Sequence, residues 1–187
     1  VKVGARLGSA AKSDVRGLFD TFIPEAQRRA TLGATTDPQT VLRLTGNRDR
    51  GQLIFYSDGA RCRACHEIDS ASQSLGPTLQ EINKKYPRPA ELLQHVFQPS
   101  LKIEDAFAAY ALLTDDGRAL NGLLIEQTDK EVVLKSTDKK LTRLPRAQIT
   151  ELRKSEKSLM PDLILSDLTA QEAADLLTYI QSLGVPR

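Results

Sequence analysis

Cys62-Arg63-Ala64-Cys65-His66 is the run whose residue types and spacing point most directly at chemistry, because two thiols and an imidazole stand within five residues. Three chemistries use such a run. A zinc site needs about four ligands, with a second Cys or His pair at similar spacing. These are the only two cysteines in the chain, and the one other histidine, His95, cannot complete such a set. A thioredoxin-like dithiol belongs at a helix start after a buried strand, whereas an amphipathic helical stretch precedes this one. In the third chemistry the thiols add to haem vinyl groups as thioethers and the adjacent imidazole ligates the iron from one face. That arrangement asks for nothing more nearby, and it is the favoured reading.

The flanks point the same way. Gly76-Pro77-Thr78-Leu79 follows His66 where a haem pocket needs a tight turn and an apolar wall. There Pro77 would pack beside the imidazole and a backbone carbonyl would accept its N–H, fixing the tautomer and raising ligand basicity. Taken alone, Gly76-Pro77 is an ordinary turn. For the other face of the iron the chain offers its single methionine, Met160, on the proline-stiffened loop Ser158-Leu159-Met160-Pro161. A lone methionine is otherwise core filler; its position here makes it the expected axial ligand, which would favour reduced iron and raise the potential. His95, among Leu92, Leu93, Val96 and Phe97, is the rival sixth ligand or simply a helix histidine.

Several elements must position these residues. Residues 1–45 are expected to form an N-terminal helical extension or linker, with helical pieces over 15–22 and 24–32 and a helix start at Asp37-Pro38. Helices are predicted over 48–57, from Leu79 to Lys85, and from Pro89 to Phe97. Thr169-Ala170-Gln171-Glu172 is a capping box that opens a last helix, whose Leu176, Leu177, Ile180 and Leu183 recur at helical spacing before Gly184 and Pro186 end it. Between them the texture changes. Runs at 107–114, 120–126, 132–135, 141–144 and 149–153 read as five antiparallel strands, a small barrel or curled sheet. No residue within that stretch forms an obvious catalytic set.

With 187 residues, 40% hydrophobic and 27% charged, the chain has the composition of a globular protein able to bury a core. Its 26 basic and 24 acidic residues leave a net charge of +2, too weak to argue for nucleic acid or an anionic membrane. No run approaches the roughly 18 to 20 apolar residues of a membrane span. The chain begins with Val1 and reads as a mature product or an excised piece, so the missing export signal says nothing about compartment.

Gly51 and Phe55 in one helix, with Leu176 and Tyr179 in the last, resemble the residues by which class I cytochromes c cross their terminal helices. More narrowly, the chain is similar to the haem-binding domain of the Pirellula/Verrucomicrobium type, found in planctomycetes and related bacteria. The likeness runs from Leu18-Phe19 and Pro24-Glu25-Ala26-Gln27-Arg28 through Arg50-Gly51, Ile54-Phe55, the cysteine motif, Gly76 to Leu79 and Pro99-Ser100. It continues through the strand-rich stretch to Ser158 to Pro161 and Leu168-Thr169. The resemblance implies a mainly α fold, a class I cytochrome c-like helical domain over 46–105 and 155–187. A small antiparallel β insert at 106–154 would separate the attachment segment from the methionine loop.

It further implies one covalent haem c on Cys62 and Cys65, axial ligation by His66 and Met160, and a pocket that includes Gly76, Pro77 and Leu79. The implied function is single-electron transfer rather than catalysis, for a redox partner or a fused dehydrogenase-like domain, in a periplasmic or exported, envelope-associated protein. A homodimer is compatible with it. A haem-based gas or redox sensor in which Met160 is displaced is the alternative, and a peroxidase-like site using His95 is a third. The 94 positions between His66 and Met160 depart from simple cytochromes.

Overall fold

A computed structural model of the protein describes residues 22, 24, 28–57, 60–68 and 74–184. Six α-helices lie among them: α1 (Gln39–Leu42), α2 (Arg48–Phe55), α3 (Cys62–Cys65), α4 (Ile82–Lys85), α5 (Pro89–Phe97) and α6 (Ala170–Ser182). Five strands fall between α5 and α6: β1 (Ala109–Thr114), β2 (Ala119–Gln127), β3 (Glu131–Lys135), β4 (Leu141–Pro145) and β5 (Ile149–Lys154).

Helices α2 and α6 form the axis of the helical part, and both begin on side-chain caps. Asn47 accepts the Arg50 N–H at 2.9 Å. Thr169 accepts from the Glu172 N–H at 3.2 Å while the Glu172 carboxylate accepts the Thr169 N–H at 2.8 Å, a completed capping box. The helices cross where α2 has Gly51: a Cβ there would stand 2.8 Å from Tyr179 Cβ and closer still to the Asp175 carbonyl, so only glycine admits this approach. Phe55, fully buried, packs its ring 5.5 Å from that of Tyr179.

One buried charge fixes the crossing. The Asp175 carboxylate, 1% exposed, accepts from the Asn47 N–H at 2.7 Å, from Arg50 Nε at 2.6 Å and Nη2 at 2.9 Å, and from Gln171 Nε2 at 3.0 Å. Burial pushes its pKa up, but the hydrogen bonds from Arg50, Asn47 and Gln171 outweigh burial and hold it below the usual carboxylate range.

The sheet is antiparallel in the order β4-β3-β2-β1-β5. Its two edge strands are joined only by the 3₁₀ turn Arg146–Gln148. In a flat sheet four strand spacings would hold those edges about 19 Å apart, whereas the four residue-to-residue steps from Pro145 to Ile149 span at most about 14 Å. The sheet must therefore curl. Curling gathers Leu112, Val132, Leu134, Leu144 and Ile149 into an apolar core separate from the helical one.

The expectation of a mainly α, class I cytochrome c-like fold is wrong. Among the described residues 32% are helical and 22% lie in strand, and the helices are few and short beside a five-stranded sheet. Proline and glycine cut the helical signals into pieces: four of the six helices span eight residues or fewer and only α6 reaches 13. The β segment is also more than a decoration, since it builds its own core.

The two N-terminal helices expected over 15–22 and 24–32 lie mostly outside the described residues. At the end of that stretch the chain pairs with the start of α6: Thr31 bridges Thr169, and the Leu32 N–H donates to the Leu168 carbonyl at 2.8 Å. Further along, the Asp37 carboxylate accepts the Gln39 N–H at 3.0 Å as α1 begins.

Candidate functional site

Helix α3 is a single turn made by the cysteine motif itself. Arg61 enters it in the left-handed region, φ 50°, and the His66 N–H donates to the Cys62 carbonyl at 2.9 Å to close it. The two cysteines form no disulfide with each other, and the Cys62 thiol donates to the Ala60 carbonyl at 3.5 Å. Burial pushes the Cys62 thiol up to about 11. It also raises that of Cys65, although the nearby Lys139 charge pulls the other way. Both shifts run opposite to the lowered thiol pKa of a dithiol oxidoreductase.

The loop after the motif is folded back against it by Ser74. Its buried hydroxyl lies 2.6 Å from the Cys65 carbonyl and 2.7 Å from the Gly76 carbonyl and shares its one proton between them, while the Leu75 and Gly76 N–H groups donate to the Cys65 carbonyl. This brings Gly76 against the imidazole so closely that a Cβ there would stand 2.6 Å from His66 Cε1. His66 Nδ1 lies 2.8 Å from the Pro77 carbonyl, so Nδ1–H is the donor and Nε2 keeps its lone pair. Burial lowers the His66 pKa and the Pro77 hydrogen bond opposes it only in part, leaving a neutral imidazole of the form that ligates metals.

All seven residues expected at the site line one cleft: Cys62, Cys65, His66, Gly76, Pro77, Leu79 and, from 94 positions away, Met160. The cleft has a cavity volume of about 160 Å³ and opens to solvent. Leu75, Ile82, Leu92, Val96, Ile164 and Ile180 make most of the wall apolar. Ser158 and Met160 form a small turn of their own, the Met160 N–H donating to Ser158 Oγ at 3.1 Å.

His95 lines the same cleft, stacked on Tyr86 with ring centroids 4.4 Å apart. Burial, with Lys85 and Lys102 nearby, keeps its pKa below the ordinary histidine value against the opposing charge of Glu91.

Two thiols, one imidazole with a committed tautomer, a thioether and an apolar wall are groups that a covalently held haem c would need, and the residues present fit that group. Among the described residues no three His, Cys, Asp or Glu side chains gather as a metal-ion site, so nothing there completes a four-ligand zinc set. Nor is any helix among them long and apolar enough to cross a membrane.

Sequence reasoning missed Ser74, Tyr86 and Phe107. Tyr86 and Phe107 line the cleft from outside any motif, and the Ser74 hydroxyl acts only through a loop closure that spacing does not encode. No protein-family profile matches the chain, and no curated protein matches it.

Proposed function

We propose that this chain is a c-type cytochrome that carries single electrons for a fused or partner oxidoreductase, and that it is related to the Pirellula/Verrucomicrobium-type haem-binding domains. The observation that carries this reading is the convergence of Cys62, Cys65, His66 and Met160 on one apolar cleft, with the Pro77 carbonyl committing His66 Nδ1. Cys62 and Cys65 would hold a haem by thioethers, and His66 and Met160 would ligate its iron. Bound there, the haem supplies reversible one-electron chemistry.

The chain's own residues do the rest. Pro77 and Gly76 fix the plane and tautomer of His66, so the ligand costs no reorganisation when charge changes. Leu79, Leu92, Val96 and Ile180 exclude water, which favours the less charged, reduced state. Attachment of haem c takes place outside the bacterial cytoplasm, so the proposal includes an exported or periplasmic location.

A reduced-minus-oxidised spectrum tests this: a sharp low-spin α band in the wild type, lost in Met160→Ala, is expected. A protein that carries no haem absorbance after expression in a host that attaches haem c overturns it. The sensor alternative is favoured by one observation, that His95 lines the same cleft as Met160. Carbon monoxide binding to the reduced wild type at modest gas concentration would select it.

A further inference from the structure

The sheet touches the cleft with both of its chain ends. Phe107, just before β1, lines it, and so do Ser158, Leu159 and Met160, just after β5. These two crossings are tied together at a narrow neck. Lys154 pairs with Asp105, the Ser155 N–H donates to the Ala109 carbonyl at 2.8 Å, and the Ser158 N–H donates to Ser100 Oγ at 3.1 Å. Where the sheet stands therefore sets where Met160 stands.

The other end of the sheet reaches the opposite partner in the proposed ligation. The turn from β3 to β4 is closed by Ser136, whose N–H donates to the Lys140 carbonyl at 3.0 Å and whose carbonyl accepts the Lys139 N–H at 2.9 Å. Lys139 itself sits in the left-handed region, φ 65°, where glycine or asparagine is at ease and lysine is strained. Only the lysine side chain offers something glycine could not supply there. Its Nζ lies 2.8 Å from Glu67 Oε1, 72 positions earlier, with both side chains about a third exposed or less, at 34% and 27%. Glu67 directly follows His66, and its N–H lies 3.4 Å from the Ser74 hydroxyl that clamps the Cys65 and Gly76 carbonyls.

We propose that the sheet is a rigid bracket across the cleft, with Lys139 as the positioning residue that latches its far turn to the His66 segment while its neck carries Met160. The inference takes the ligand roles of His66 and Met160 from the proposed function.

Lys139→Gly separates this role from an ordinary turn role. Glycine relieves the backbone strain, so a mere turn residue replaced this way leaves the fold as stable or more so and leaves Met160 undisturbed. As a latch, its loss loosens Met160: imidazole binding to the oxidised haem protein tightens about five-fold in Lys139→Gly and in Glu67→Gln, as expected for a partly exposed ion pair. The double variant Lys139→Glu with Glu67→Lys restores the wild-type value. Unchanged imidazole affinity in both single variants, or a charge swap that fails to restore it, overturns the bracket.

Hydrogen exchange gives a second readout that needs no haem. Faster exchange in both 66–68 and 158–160 supports the bracket, and a change confined to 136–140 overturns it. An absence of haem in the wild-type protein would instead strike the proposed function, and the exchange result would still decide the bracket.

Discussion

The helical core and the sheet meet at one cleft but are held together by different means. In the helical core the decisive contacts are polar and singular: a glycine at the crossing, one buried carboxylate with four donors, two side-chain caps. In the sheet they are repetitive, with ladder pairs along five strands around a small aliphatic core. A region built on single contacts fails at single positions, whereas one built on a ladder loses stability in proportion to what is removed. The site residues themselves are shared, since the helical side supplies His66 and the chain leaving the sheet supplies Met160.

The largest effect is expected at the crossing. Gly51→Val should force α2 and α6 apart and cost about 3 kcal/mol or more; in thermal unfolding with hydrogen exchange, α6 should lose protection while β2 and β3 keep theirs. Leu134→Ala, a deletion from the buried core of the sheet, should cost about 2 to 4 kcal/mol and show the reverse pattern, with β3 exchanging faster and α6 unchanged.

Asp175→Asn should cost about 1 to 3 kcal/mol, because the donors of Asn47, Arg50 and Gln171 lose a charged acceptor in a buried place. It also carries a pH signature. The folded-state pKa of Asp175 is depressed, so its stabilising share is complete above the ordinary carboxylate value of about 3.9 and is lost as pH falls through the lower folded value. Acid titration of stability should therefore fall less steeply below about pH 4 in the variant than in the wild type. Equal slopes would contradict the role given to this carboxylate.

The smallest effect on stability, and the most local, belongs to Gly76→Ala. Its new methyl group meets the His66 ring, so the low-spin spectrum should be disturbed while the unfolding temperature of the sheet stays put.

Much of the candidate site is legible in the sequence, for a physical reason. The proposed attachment chemistry asks for Cys62, Cys65 and His66 within five residues, and Gly76-Pro77 and Met160-Pro161 stand out only in the company of that motif. Strand positions are equally plain from β-branched runs and turn residues, as with Val132 to Lys135 beside Thr137-Asp138-Lys139-Lys140. What the sequence does not show is balance and closure. It does not reveal that α3 and α4 are single turns, which makes the fold mixed rather than mainly helical. Nor does it show that Lys139 reaches Glu67, because a contact across 72 positions depends on how the sheet curls.

The most direct test of the central claim is the intact mass of the protein after export in a host that attaches haem c, together with a count of reactive thiols under denaturing conditions. A mass equal to polypeptide plus one haem, with no thiol left to react, is the predicted result. A bare polypeptide mass with both Cys62 and Cys65 titrating as free thiols would contradict it.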